Sequence, residues 1–426
     1  MRTGNEILVV AALVLCMGAL IGGPAGAGQS WTIGEPIVGY WGGPGYPGAL
    51  PLTAAYAKQL KDGGWNLVHC TEADIPVVNE FGMRMLLRDP LIAPQSLDNP
   101  QTKGLLDALV DRVKDNPNMY MYYLVDEPSS KLFPDYARLV AYLRERDPKH
   151  AAYIDLFPTY ASNEMLGETG EFPLAYKAYV NDFINIIKPD FISYDNYHFF
   201  KTPENVSYDA NWYFQNLALI RQAASDANLP FMNIIQCSSW APHVRVPTPK
   251  EFRWLVYTSI AYGAQATCQY VYYYPEHAGN MVDKDGNPTE LYFEAQKTNF
   301  EFISIVKQLK DLKSLGAYHA GIIPPGGTPL PSNSVFQFVP KIPQREYVLN
   351  QQVTGFVMGL FGNNGQATSA VVVNLDYRNF KSISISAPAD IEVFNTGSNK
   401  WTKSPTGKTI ELNLPAGSGK LIRLVK

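Results

Sequence analysis

Eight short apolar runs recur through the first two thirds of the chain, and each stops abruptly in polar or aromatic residues. They cover 37–41, 65–70, 83–87, 120–125, 150–157, 191–194, 231–235 and 266–274. A near-continuous apolar stretch, rather than an alternating one, marks a strand buried on both faces, as in a parallel sheet covered by helices. Segments with helical spacing separate most of the runs, at 52–62, 103–114, 133–146, 176–187, 211–227 and 251–262, and a long one follows at 292–312. This series predicts an α/β fold, a (β/α)8 TIM barrel, whose usual length suits the roughly 290 residues involved. A doubly wound open sheet is the rival, but the first run opens into Gly42-Gly43-Pro44-Gly45 and not into a G-x-G-x-x-G turn.

From about Gly316 the texture changes. Short alternating runs at 335–339, 355–361, 370–375, 382–386, 391–394, 409–414 and 420–425 are punctuated by Gly, Pro, Ser and Asn. They predict a small antiparallel β-sandwich. The expected organisation is therefore a barrel over 28–315 and a C-terminal β domain over 316–426. Residues 1–27 read as a signal peptide, with an apolar run at 7–23 behind Arg2 and a small-residue cleavage pattern at Ala25-Gly26-Ala27. A retained membrane anchor is the alternative, since the run approaches spanning length. The expected address is secreted or periplasmic, with no membrane association after cleavage.

Net charge is −4 with no basic stripe, which argues against a nucleic-acid partner. Past the leader three cysteines remain, Cys70, Cys237 and Cys268; three cannot all pair, and each falls inside a predicted strand, so they read as buried thiols. No Cys/His spacing suggests zinc, and no metal or cofactor is expected.

In a barrel of this kind chemistry occupies the loops at the C-terminal ends of the strands. The fourth run, Tyr120-Met121-Tyr122-Tyr123-Leu124-Val125, ends in Asp126-Glu127-Pro128. An unpaired carboxylate is costly to bury, so this pair should sit at a mouth or cleft. A helix N-cap role for Asp126 or Ser129 explains neither Glu127 nor the residues after the other strands. Those residues include Trp41, His69, Glu72, Asp89, Asp155, Asp195, Tyr197, His198, Gln236, Trp240, Tyr273 and Glu276. Acids interleaved with flat rings suit a carbohydrate: carboxyls move protons and bind hydroxyls, while rings cover the apolar faces of pyranoses. Structural roles compete for several of them. His69 beside Cys70 equally reads as a core histidine, Asp155 as an ion-pair partner, and one or two of Tyr272, Tyr273 and Tyr274 must face the helices.

With its acid in Val125-Asp126-Glu127-Pro128 after strand four, the chain resembles clan-A glycoside hydrolases, in texture the family 42 (β-galactosidase)-like proteins. Ser193-Tyr194-Asp195-Asn196-Tyr197-His198 and Val271-Tyr272-Tyr273-Tyr274-Pro275-Glu276 add to the likeness, which covers residues 31–315. The resemblance implies a secreted glycoside hydrolase with Glu127 as general acid/base. It also implies a nucleophilic Glu after strand seven, where this chain has Gln236-Cys237. Three expectations stay open: Asp195 or Glu276 acts from a neighbouring strand; Asp126 orients a substrate's own 2-acetamido group, hexosaminidase-fashion; or the barrel only binds glycans. Trp41, His69, Tyr197, His198, Gln236, Trp240 and Tyr273 are the expected sugar contacts.

Overall fold

The computed structural model describes residues 31–201, 210–348 and 351–425, and the side chains of 210 and 211 are outside the description. The leader-like stretch read at 1–27 lies outside the described residues.

Eight parallel strands form the first sheet: β1 (Ile37–Trp41), β2 (Leu67–Cys70), β3 (Arg84–Leu87), β4 (Met119–Asp126), β5 (Ala151–Leu156), β6 (Ile192–Asp195), β7 (Phe231–Gln236) and β8 (Ala266–Tyr270). Their order, β1-β8-β7-β6-β5-β4-β3-β2, leaves one seam, between β1 and β2. Asn66 closes it: its backbone N–H donates to Val38 O, its Oδ1 accepts from Val38 N–H and its Nδ2 donates to Pro36 O, each at 2.9 Å. A side-chain amide thus supplies the rungs that a missing ladder would leave as unpaired backbone groups. The eighth predicted strand stops at Tyr270, four residues early, and Val271–Tyr274 leave the ladder.

The helices are α1 (Ala54–Asp62), α2 (Ile75–Phe81), α3 (Pro100–Val113), α4 (Phe133–Arg146), α5 (Asn163–Leu166), α6 (Leu174–Asp182), α7 (Ala210–Ala227), α8 (Pro249–Ala261) and α9 (Glu290–Leu309). Local chemistry sets their starts. Thr53, Asn99 and Thr289 each accept a hydrogen bond from a first-turn N–H, and Thr248 with Glu251 forms a reciprocal capping box on α8. The lumen is packed solid by Leu67, Leu86, Met121, Tyr153, Met232, Ile234 and Cys268, so it is a core and not a channel. Cys70, Cys237 and Cys268 are all free and buried.

After α9 the chain forms β9 (Lys313–Ile323), β10 (Thr328–Pro329), β11 (Gln337–Val339), β12 (Arg345–Glu346), β13 (Gly355–Asn363), β14 (Gln366–Asn374), β15 (Lys381–Ser386), β16 (Ile391–Asn395), β17 (Lys400–Lys403), β18 (Thr409–Leu414) and β19 (Gly419–Leu424). A larger, mostly antiparallel sheet built on β9-β13-β14-β19-β16 faces a three-stranded one, β11-β15-β18. Phe338, Ile385 and Leu412 from the small sheet meet Met358, Val372 and Ile422 from the large one, which makes a sandwich. Its other face docks on the barrel through α8. No helix among the described residues is long and apolar enough to cross a membrane.

Candidate active site

At the C-terminal mouth of the barrel lies a cavity of about 360 Å³, whose wall includes Asp126, Glu127, Asp155, Asp195, Trp41, Tyr197, Trp240 and Tyr270. Three consecutive strands deliver the acids: β4 ends at Asp126, β5 carries Asp155 beside it in register, and β6 ends at Asp195. Neighbouring residues of a regular strand point to opposite faces. Here the β4–β5 register slips between Tyr123 and Val125, and Glu127 takes the left-handed conformation with φ 46°. Its backbone N–H donates to Asp155 O at 3.0 Å. The slip and the left-handed turn let Asp126 and Glu127 line the same cavity. A non-glycine residue held at positive φ is costly and tends to persist where function requires it.

The carboxyls of Glu127 and Asp195 line the same cavity, and each acts on the ionisation of the other. Loss of hydration is the main cause of a Glu127 pKa raised to about 7, and the charge of Asp126 adds to it. Asp195, 5% exposed, is pushed well above the carboxylate range by burial, then by Glu127, Asp155 and Asp126, while a hydrogen bond from Tyr197 acts the other way. Its Oδ1 is buried with no hydrogen-bond partner. Asp155, 1% exposed, is raised by burial and then by Asp126; its Oδ1 accepts from Ser193 Oγ at 2.6 Å, and that hydroxyl pairs with Tyr153 OH at 2.9 Å. Asp126 reaches solvent at the rim, though protein closes round its base. Reduced hydration lifts it to about 6 against the pull of Arg88.

Tyr197, Trp240 and Tyr270 form one aromatic wall, with centroids 4.5 to 5.1 Å apart. Trp41 stands on another side, its indole Nε1 donating to Tyr46 OH at 3.1 Å. Sequence reasoning missed Tyr270, Tyr160, Phe200 and His243, which also line the cavity. Tyr270 sits at the true end of β8, hidden by a run that looked four residues longer; the other three lie in loops whose direction no periodicity reveals. Arg88 was also missed: its guanidinium carbon lies 4.1 Å from the Tyr123 ring centre and 4.6 Å from that of Tyr46.

Five expected residues stand outside the cavity wall. Gln236, fully buried, accepts from the N–H groups of His198 and Phe199 at 3.0 and 2.8 Å and donates to Phe199 O and Arg245 O at 3.0 and 2.7 Å. Every amide valence is thereby committed to backbone, and none is left for a sugar. His198 is buried among Phe199, Tyr213 and Trp254, on the helix side of the sheet. His69 is buried against Tyr40, Trp41, Tyr46 and Tyr123, and burial followed by the nearby charge of Arg88 lowers its pKa well below the usual value. Tyr273 is buried outside the cavity wall, and Glu276 is exposed next to His277 and is not part of that wall. Glu72 pairs with Arg112, and Asp89 caps the turn at Leu91. Among the described residues no cluster of His, Cys, Asp and Glu is arranged to hold a metal ion.

No family model matches the chain, and neither does any curated protein. Solved structures share its fold at low identity. A β-galactosidase from Bacillus circulans sp. alkalophilus aligns at 10% identity over 92% of this chain and 99% of that one, with TM-score 0.57. Two structures of a GH42 β-galactosidase from G. stearothermophilus align at 8% and 9% identity, over 92% of this chain and 98% of theirs, with TM-scores of 0.51 and 0.53. The match to a β-galactosidase from Marinomonas ef1 (10% identity, TM-score 0.44) covers 60% of this chain and 58% of that one. At such identities the likeness is one of fold alone, an eight-stranded parallel barrel followed by a β domain.

Proposed function

We propose that the protein is an exported glycoside hydrolase in which Glu127 protonates the leaving glycosidic oxygen and Asp195 is the partner carboxylate. The observation that carries this reading is the convergence of Glu127 and Asp195, from the ends of β4 and β6, on the wall of one ring-lined cavity. A general acid must hold its proton at working pH, and a value near 7 allows that. Once the proton has passed to the bridging oxygen and the C–O bond breaks, positive charge develops at the anomeric carbon. The Asp195 carboxylate, steadied by Tyr197, faces that charge, and water supplies the hydroxyl that completes hydrolysis. Tyr197, Trp240 and Tyr270 give the sugar ring an apolar platform. The β-galactosidases that share the fold support the same class of chemistry. Committed to backbone, Gln236 has no part in it. The apolar run at 7–23 motivates the exported address.

The test is Glu127→Gln on a panel of aryl glycosides. That variant should keep its circular dichroism and melting behaviour while kcat falls by about a hundredfold or more. Undiminished turnover in a folded E127Q protein refutes the assignment.

A further inference from the structure

We propose that the sugar taken into this cavity carries a free, protonated amine, making the substrate a hexosaminide and not a neutral hexoside or its N-acetyl derivative, with Asp126 as the acceptor for that amine. The proposal rests on the glycosidase reading above and adds the substrate class.

Among the described residues four carboxyls line the cavity, and no lysine or arginine does. Hydrolysis of a glycoside uses two of them. Asp155 is tied to Ser193, which leaves Asp126 without a task. Its carboxylate has no hydrogen bond or ion pair with any described residue, and Arg88 acts on it through its charge alone. The Asp195 carboxyl, though given to the reaction, adds one oxygen without a partner: its Oδ1 is buried in the wall of the same cavity with no hydrogen bond. The unpaired Asp126 carboxylate and the unpaired Asp195 oxygen, together with the faces of Trp41, Tyr197, Trp240 and Tyr270, make an environment that attracts an ammonium group. Crowded like charges resist ionisation, and a cation placed among them relieves that crowding where a neutral hydroxyl does not. Acetylation removes the charge, so an acetamido sugar forfeits the gain.

The experiment compares kcat/KM for aryl glucosaminide, aryl N-acetylglucosaminide and aryl glucoside, with the galacto series alongside, near neutral pH in wild type and Asp126→Asn. The ratio of amine to neutral substrate is the quantity read, because any common change in Glu127 ionisation cancels in it. Wild type should favour the amine by about tenfold to a hundredfold, and Asp126→Asn should bring the ratio close to one. A wild-type ratio near one, a preference for the N-acetyl sugar, or a ratio unmoved by Asp126→Asn overturns the proposal. A binding arm separates this outcome from the fate of the hydrolase reading: glucosamine, N-acetylglucosamine and glucose are titrated into E127Q while tryptophan fluorescence is followed. Selective glucosamine binding without wild-type turnover of any glycoside sustains the amine site and removes the hydrolase. Turnover that needs Glu127 but ignores the amine does the reverse.

Discussion

Four acids in one hollow make the site sensitive to pH in two ways that move in opposite directions from intuition about acid denaturation. Asp126 and Glu127 titrate at about 6 and about 7 in the folded chain, above ordinary carboxyl values near 4, and Asp155 and Asp195 are raised as well. The native state therefore binds more protons than the unfolded chain, so this cluster's contribution to stability is fully present below about pH 4 and declines as pH rises towards about 7. On the proposed mechanism activity follows the same limb, because the proton on Glu127 is the one passed to the leaving oxygen. A profile of kcat against pH should fall on the alkaline side with a midpoint near 7. Removing the neighbouring charge with Asp126→Asn should move that midpoint to lower pH, since Asp126 is one of the groups holding Glu127 up. A midpoint unmoved in the variant would show that the two carboxyls are not coupled. Meanwhile melting temperature should decrease between mildly acidic and neutral buffer, and the slope should lessen in the same variant.

Element by element, what the sequence reveals depends on whether a residue's role is local. The barrel strands were legible because burial on both faces leaves an apolar run, and the following polar residues mark its end. The mouth acids Asp126, Glu127 and Asp195 were legible for the same reason. Gln236 was not: at the end of β7 an amide looks like a sugar contact, yet its partners are backbone groups of the β6 loop and of Arg245. In effect it is a clamp between two loops of the mouth. Arg245 in turn makes two 2.8 Å bonds to Glu251, which caps α8 through Thr248. Gln236→Ala would strand two buried N–H groups and two carbonyls, at a total cost on the order of 3 kcal/mol or more. Gln236→Glu should restore neither stability nor a nucleophile, because a carboxylate cannot donate to the Phe199 and Arg245 carbonyls. Urea unfolding of both variants checks this; a Gln236→Glu protein as stable as wild type and more active would return that position to the catalytic site. Four strands and two helices escaped sequence reading for equally local reasons: β10 and β12 have two residues each and α5 four. β9 follows the long apolar spacing of α9 without a break, β17 (Lys-Trp-Thr-Lys) is too polar to register as a strand, and α2 has only seven residues.

On the scale of the whole molecule, the barrel and the sandwich share a core. Trp254 and Tyr257 of α8 belong to one continuous buried cluster with Val357, Phe361, Val371, Val373 and Leu421 of the large sheet, and with Phe199 and Tyr377. Fully burying a side chain of this size contributes about 1.5–3 kcal/mol, so separating the two parts would expose far more apolar surface than a marginally stable fold can spare. The contact is also tight at the backbone: a Cβ on Gly359 of β13 would lie 2.0 Å from Ala261 O at the end of α8. No rotamer change relieves a clash with a carbonyl, so only glycine lets the sheet come this close. Two consequences follow for the full chain. Chemical unfolding followed by tryptophan fluorescence and by far-ultraviolet circular dichroism should give one coincident transition, not separate melting of barrel and sandwich. Gly359→Val should lower the midpoint by several kcal/mol in free-energy terms, on the order of 3, and should disturb the loops after β6 and β7 that Phe199 and Tyr377 tie to this interface. If instead Gly359→Val leaves the midpoint unchanged, or the wild-type protein unfolds in two separate steps, the sandwich is an appendage and the aromatic wall of the active site stands without it.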